Sequence, residues 1–231
     1  MRKDGRKKDE LRPMEAKVGV LRNADGSASF KLGNTFAVVG VYGPRKVFPR
    51  HAEEAERAIL RTKYSMAPFA TSDRGRPGPS RRSTEISYVT RQSLESVIFL
   101  NEFPKTAIDV HIEVLQADAS TRCVGINAAA LALADAGIPM RDLVASCSAG
   151  VVKGEVLLDI EGKEDTEGEV DLPVAYYPGK KEITLLQMDG IASDKNVKEI
   201  IKLAIKGCEQ VHEVQRKALR EKYAVEVGEE A

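Results

Sequence analysis

The chain has 231 residues, of which 42% are hydrophobic, which is enough to bury a substantial core. Lys and Arg total 35, as do Asp and Glu, so the net charge is zero and any basic site has to be local. The three cysteines are odd in number and unlike any zinc or CxxC spacing, and no apolar run reaches membrane-spanning length. The charged N-terminus has no apolar stretch typical of a secretory signal. We therefore expect a cytoplasmic protein with reduced thiols and no membrane partner.

The first part of the chain is predicted to open with a polar arm over residues 1–13, followed by an antiparallel meander. Its strands are expected over residues 16–22, 27–32 and 35–42. Another strand over 58–66 precedes a loop rich in Gly and Pro over 72–80. Ser83 or Thr84 is then predicted to cap a helix that runs to about Leu100.

The second part alternates strands with helices and is predicted to end in one long helix. Apolar residues alternate with polar ones over 108–114, which is typical of a half-buried strand, and a helix follows from Ser120 or Thr121 to about Ala136. Further strands are expected over 143–152, 155–160, 170–176 and 182–188. An apolar stripe predicts a helix from Asp194 to about Tyr223, capped by Ser193, before an acidic tail over 224–231. This interleaving favours a single α+β domain over residues 14–223.

The junction between the central strand and its helix predicts an anion site. The strand stops near Gln116, and Ser120, Thr121 and Arg122 stand where the helix begins. A helix N-terminus leaves N–H groups unpaired and carries partial positive charge, and a guanidinium can grip a phosphate in bidentate fashion. The alternative is an ordinary N-cap beside a solvated arginine, and this segment alone does not decide between them.

Two aspartates flank an acidic segment between two apolar strands. Asp165 and Asp171 are separated by an even number of residues, so on an extended chain they point to the same face. A bend at Gly168 would bring the carboxylates together to share a proton or a divalent cation. The alternative is a charged hairpin tip without a chemical role.

Arginines form the third candidate feature, and they concentrate around the Gly- and Pro-rich loop. Arg81 and Arg82 precede the predicted helix start, where positive charge is unfavourable unless an anion binds. Other arginines in this set are Arg2, Arg6, Arg57, Arg61, Arg74 and Arg76. Aromatic residues are scarce, so single-strand binding would depend on phosphates more than on stacking, with Tyr64 or Phe69 as a platform. The alternative is a solvated basic loop.

Several enzyme classes lack their signatures in this chain. There is no Walker loop, GxGxxG fingerprint, HExxH motif or nucleophile elbow, and the three histidines are scattered. A nucleotide-hydrolysing enzyme or a zinc enzyme is therefore not expected.

Taken together, these features resemble the RNase PH superfamily, and most closely the catalytic RNase PH-type subunit of the archaeal exosome. The residues that carry the resemblance are Asp4-Gly5-Arg6, Pro79-Ser80-Arg81-Arg82, Leu115 to Asp118 with Ser120-Thr121-Arg122, the segment Leu131 to Met140, and Glu164-Asp165 with Asp171. The family often has glycine where this chain has Ser120, so a residue with a hydroxyl group stands in the phosphate loop here.

The resemblance implies a single RNase PH-type domain with mixed sheets and packed helices. It implies a processive 3′ to 5′ exoribonuclease that uses inorganic phosphate as co-substrate, releases nucleoside diphosphates and runs backwards to add RNA tails. The residue roles that we predict from this are catalysis and Mg²⁺ binding by Asp165 and Asp171, phosphate binding by Ser120, Thr121 and Arg122, and RNA binding by Arg81, Arg82, Arg61 and Tyr64.

The implied partners are single-stranded RNA, a paralogous subunit in a hexameric ring of three heterodimers, and RNA-binding cap subunits. Two alternatives stay open at this point. One is a non-catalytic ring subunit that binds RNA, which the retained pair of aspartates argues against. The other is a free-standing RNase PH that trims tRNA, which should be active without a paralogue.

Overall fold

The computed structural model describes Arg2 and residues 4–224, so almost all of the predicted acidic tail lies outside the described residues. The strands are β1 Met14–Val18, β2 Gly26–Leu32, β3 Thr35–Lys46, β4 Ile59–Met66, β5 Thr106–Gln116, β6 Ala145–Val152, β7 Glu155–Leu158, β8 Val170–Tyr177, β9 Glu182–Leu186 and β10 Asp189–Gly190. The α-helices are α1 Arg81–Glu95, α2 Thr121–Asp135, α3 Gly162–Glu167 and α4 Asp194–Tyr223.

The first sheet has the order β1-β2-β3-β5-β4. Its first three strands form the predicted antiparallel meander, and β3 also pairs antiparallel with β5. The edge strand β4 runs parallel to β5, so the sheet is mixed. The alternating residues Ile108, Val110, Ile112 and Val114 of β5 are buried, which confirms the half-buried strand predicted there.

The second sheet has the order β10-β8-β6-β7, with β9 also paired to β8, and its pairs are antiparallel. Every residue of β6 is buried, because helices cover this strand. Helix α4 packs on β6, β7 and β8 through its apolar stripe, which includes Ile200, Ala204, Cys208 and Val211. The predicted bounds of this helix and its Ser193 cap agree with the structure.

Helix α2 lies between the two sheets and is buried on almost every side. From Thr121 to Leu133 only Arg122 is partly exposed. The side chain of Asn127 donates to the carbonyl of Ser146 at 2.9 Å and accepts from its amide at 2.6 Å, which ties α2 to β6. A continuous apolar core includes residues of both sheets, confirming the α+β class. The N-terminus of α2 is therefore held in a fixed place.

Two local predictions were wrong. Helix α1 begins at Arg81, because Ser80 caps it in a reciprocal exchange of hydrogen bonds with Ser83. It ends at Glu95, five residues before the predicted end. Arg81 and Arg82 therefore lie inside the first turn and do not precede it. The acidic segment that we expected to be extended forms the short helix α3, in which the Glu164 side chain accepts from the amide of Glu161.

None of the helices in the described part of the chain is long and apolar enough to span a membrane.

Candidate active site

The N-termini of α1 and α2 meet α3, β8 and β10 around a cavity of about 730 Å³. Its lining includes Arg82, Glu85, Ser120, Thr121, Arg122, Asp165, Asp171 and Asp189. Residues that are far apart in the sequence, on five different elements, thus line one cavity. The cavity brings together the predicted phosphate-binding residues, the two predicted catalytic aspartates and one of the predicted RNA-binding arginines.

The start of α2 offers donors to this cavity. Ser120 has left-handed backbone angles, φ 53° and ψ 23°, and its side chain does not cap the helix. Its hydroxyl lies 2.9 Å from that of Ser148, so it is engaged within the protein. Thr121 is 4% exposed, and within the described chain its Oγ1 has no hydrogen-bond partner. The first turn therefore presents uncapped amide groups, which suits an anion, while the buried Thr121 hydroxyl lies beside Tyr64.

Arg122 is held by an acidic residue of α1. One terminal nitrogen of Arg122 donates to both carboxylate oxygens of Glu85, at 3.3 and 3.0 Å. Gln187 donates to the same carboxylate at 2.8 Å. The buried Nε of Arg122 has no partner among the residues that the structure describes. Glu85 thus leaves part of the guanidinium available to a ligand. Sequence reasoning missed this residue, because no local pattern marks it.

The four predicted RNA-binding residues are placed differently. Arg82 lines the cavity, whereas Arg81 lies beside it as an exposed residue of the first turn of α1. Arg61 donates to the carbonyl of Phe48 at 3.3 Å and does not line the cavity. Tyr64 is only 4% exposed, so its ring is not available for stacking with a base. Burial raises the pKa of Tyr64, and the neighbouring Thr121 hydroxyl, followed by the charges of Arg82 and Arg122, acts in the opposite direction.

The two predicted catalytic carboxylates line the same cavity. Asp165 is on α3 and Asp171 is on β8. Burial raises the pKa of Asp171 to about 6, and the negative charge of Asp165 adds to the rise. The pKa of Asp165 is also raised, chiefly by partial desolvation within the cavity. Oδ1 of Asp171 is buried without a hydrogen-bond partner in the described part of the chain. These two groups can therefore retain a proton at higher pH than ordinary aspartates.

A third aspartate, Asp189, belongs to the same group. It lies directly opposite Asp171 in the pairing of β10 with β8, and its charge raises the pKa of both catalytic candidates. Sequence reasoning missed both this residue and its short strand. The Gln187 to Gly190 segment reads as a simple end of the preceding strand, and only the tertiary pairing gives Asp189 a place in the cavity.

The geometry places a helix N-terminus that suits an anion in one cavity with two carboxyl groups of raised pKa, and comparison with known proteins identifies the class. Residues 10–139 match the 3′ exoribonuclease family, domain 1, and residues 142–207 match domain 2 of that family. The chain therefore belongs to the RNase PH 3′ exoribonuclease family.

The individual relatives agree with this class. The chain is 59% identical to the exosome complex component Rrp41 of Pyrococcus furiosus, over 96% of this chain and 89% of that protein. It is 55% identical to the component Rrp41 of Methanopyrus kandleri, over 96% and 93% of the two chains. These relatives confirm the resemblance to the exosome subunit that was inferred from the sequence.

Two solved structures share the fold. Rice Rrp46 superposes with a TM-score of 0.86 at 25% identity, covering 95% of this chain and all of the other. A chain of the Archaeoglobus fulgidus exosome with RNA bound to the active site gives a TM-score of 0.79 at 26% identity, covering 96% and 92%. The RNase PH-type fold expected from the sequence is therefore confirmed.

Proposed function

We propose that this chain is the catalytic exosome subunit that degrades single-stranded RNA from its 3′ end by phosphorolysis, releasing nucleoside diphosphates. The observation that carries the proposal is the cavity itself. It sets an uncapped helix N-terminus with Thr121 and Arg122 opposite Asp165 and Asp171, whose pKa values are raised. The reaction is reversible, so excess nucleoside diphosphate leads to the addition of RNA tails.

Inorganic phosphate occupies the anion site at the start of α2 in this mechanism. The Thr121 hydroxyl, the Arg122 guanidinium and the first amide groups of the helix fix it in line with the terminal phosphodiester. A phosphate oxygen forms a new bond to that phosphorus while the bond to the 3′ oxygen of the preceding nucleotide breaks. Arg82 and Arg122 neutralise the charge that develops, and no covalent intermediate with the protein is involved.

The leaving 3′ oxygen needs a proton, which the aspartate pair supplies. Asp165 is the candidate donor, and its charge adds to the raised pKa of Asp171 beside it. The products are a nucleoside diphosphate and an RNA shortened by one nucleotide, with a free 3′ hydroxyl.

The donor set also fits Mg²⁺, which prefers one or two carboxylates together with substrate phosphates and water. Asp171 would hold the ion through its unpartnered Oδ1 while Asp165 acts as the acid, and Asp165 would become a second ligand only once it has lost its proton. Within the described residues no three His, Cys, Asp or Glu side chains form a metal-binding group, so the remaining ligands would come from substrate and water. Bound there, Mg²⁺ supplies neutralisation of phosphate charge.

RNA lies along the cavity mouth in the proposed complex. Arg82 and its neighbour Arg81 hold the phosphates upstream of the scissile bond, and Arg61, which is outside the cavity lining, is the candidate for a more distant phosphate contact. Because these are contacts to phosphate and not to base edges, we expect little sequence preference and strong dependence on salt. Degradation restricted to one homopolymer would contradict this part of the proposal.

We further propose the quaternary setting of an exosome: a hexameric ring formed with a paralogous subunit as three heterodimers, carrying RNA-binding cap subunits. Exposed apolar side chains along and after β9 support a subunit contact at this edge of the second sheet; they are Ile183, Leu186, Met188 and Ile191. A cytoplasmic location fits the three cysteines, which are free and buried.

The test is incubation of a uniformly labelled single-stranded RNA with and without phosphate, using the chain alone and together with the paralogous subunit, and the released nucleotides are identified. Phosphate-dependent release of nucleoside diphosphates supports the proposal, and a requirement for the paralogue separates it from a free-standing RNase PH. Monophosphate products would mean hydrolysis. No products in the presence of the paralogue would favour the non-catalytic ring subunit.

A further inference from the structure

A buried ion pair lies behind the phosphate-binding turn. Arg12, 3% exposed, donates to Asp159, which is fully buried. Three hydrogen bonds join them: from the Arg12 amide and Nε to Oδ2, both 2.9 Å, and from Nη2 to Oδ1, 2.6 Å. Arg6 adds a fourth contact to Oδ2 at 3.2 Å. The N-terminal arm is therefore anchored to a carboxylate inside the protein.

The other face of Arg12 holds the loop that precedes α2, residues 118–120. Nη1 of Arg12 donates to the carbonyl of Asp118 at 2.6 Å. Thr35 holds the same loop from the opposite side, accepting from the Asp118 amide at 2.9 Å and donating to the Ala119 carbonyl at 2.7 Å. The loop is thus fixed from two directions by side chains that lie outside the cavity.

This loop needs such support because of its backbone conformation. Ala119 and Ser120 are consecutive non-glycine residues with φ of 59° and 53°. Left-handed conformations are unfavourable for L-residues and persist where the surroundings over-determine them. Here the conformation keeps Ser120 from capping α2, so the first amide groups of the helix stay open to the cavity. The contacts of Arg12 and Thr35 therefore maintain the anion site.

A second arginine of the arm holds the carboxylate side. Arg2 donates to the carbonyls of Leu158 and Asp159, at 2.8 and 2.7 Å. Its Nε and Nη2 also grip Glu164 at 3.0 and 2.7 Å, in bidentate fashion. Glu164 immediately precedes Asp165 on α3. Arg2 therefore fixes the short helix that carries Asp165 to the same Asp159 segment that anchors Arg12.

We propose that Arg12, together with Asp159 and Thr35, positions the phosphate-binding turn, and that Arg2 positions Asp165 through Glu164. The N-terminal arm thus fixes the phosphate-binding turn and the helix that carries Asp165 relative to each other. Its arginines act as positioning residues and are not RNA ligands. This inference rests on the proposed phosphorolytic function, because it assigns one side to phosphate and the other to proton transfer. Loss of the Arg12 contacts and loss of the Arg2 contacts should consequently affect different kinetic constants.

The test measures phosphorolysis at varied phosphate concentrations, with each variant assembled with the same partner subunits as the wild type. Arg12→Lys keeps the charge but loses the fork that joins Asp159 to the Asp118 carbonyl, so we expect the KM for phosphate to rise about tenfold with kcat nearly unchanged. Thr35→Val removes the opposite support without touching the ion pair and should raise the same KM. Calorimetric titration with inorganic phosphate should detect the same loss.

Arg2→Lys tests the contacts between Arg2 and Glu164. It should lower kcat about tenfold and leave the KM for phosphate unchanged, because Asp165 would be displaced while the anion site stays intact. The matched control is Lys8→Gln, on the same arm, which breaks an exposed ion pair with Glu155. This control should keep both constants at wild-type values.

Several outcomes would overturn the inference. If Arg12→Lys and Thr35→Val reduce thermal stability and kcat without changing the KM for phosphate, these residues are merely structural. If Arg12→Lys does not fold, Thr35→Val decides the matter alone. An unchanged kcat in Arg2→Lys would refute the positioning of Asp165 by Arg2 through Glu164. A wild-type enzyme that cuts RNA without phosphate would overturn the proposed function instead, so the two failures are distinguishable.

Discussion

The two sides of the cavity are built in contrasting ways. The phosphate side, where we propose that phosphate binds, is the N-terminus of α2, a helix buried between two sheets. Its Thr121 is 4% exposed. The carboxylate side consists of the six-residue helix α3, the edge strand β10 and the start of β8, where Asp165 and Asp189 are exposed. The rigid side suits an anion that has to be held in line for attack. On the carboxylate side, burial is the main cause of the raised pKa values of Asp165 and Asp171, and the charge of Asp189 adds to both.

The largest effect is expected on the carboxylate side. Asp165→Ala should reduce kcat by about 10²- to 10⁴-fold, the usual worth of a general acid, while RNA binding stays nearly intact. Single-turnover assays and a filter-binding measurement check the two parts. Glu167→Ala is the matched control, because Glu167 is an exposed acid of the same helix that does not line the cavity. Equal losses in both variants would mean that α3 and not the Asp165 carboxylate matters, and surviving phosphorolysis in Asp165→Ala would refute its role.

An intermediate effect is expected on the phosphate side. Arg122→Lys keeps the charge but loses the planar fork, so the KM for phosphate should rise by about tenfold or more. The affinity for RNA, measured without phosphate, should change much less. Arg91→Lys serves as the control, since Arg91 makes an i,i+4 ion pair with Glu95 on α1, away from the cavity lining. An unchanged KM in Arg122→Lys would remove Arg122 from the proposed anion site.

The smallest effect should come from Asp189→Asn. The charge of Asp189 raises the pKa of Asp165 and Asp171, so its removal lowers both values. A general acid works only while protonated, and the alkaline limb of the kcat profile should therefore move to lower pH. Profiles for the variant and for Glu182→Gln, an exposed acid of β9 outside the cavity lining, provide the comparison. A shift to higher pH would contradict the assignment of an acid to this side.

The sequence predicted the phosphate side more completely than the carboxylate side. The alternating apolar residues predicted β5, and the apolar segment after Arg122 predicted α2, because the burial of these elements follows from the local pattern of apolar residues. The acidic α3 has no apolar period, and its fixation by Arg2 comes from a residue more than 150 positions away. Glu85 and Asp189 escaped prediction for the same reason, since only tertiary contacts give them a place.

The first turn of α1 has a consequence for how the enzyme responds to its substrate. Arg81 and Arg82 follow the Ser80 cap directly, and this turn contains no acidic residue, so two cations stand at the positive end of the helix dipole. That arrangement is unfavourable in isolation and is relieved by an anion. If RNA phosphates bind there as proposed, linkage requires the bound RNA to stabilise the start of α1. The bound substrate then stabilises the helix turn that binds it. The backbone amides of this turn should exchange hydrogen more slowly when RNA is bound.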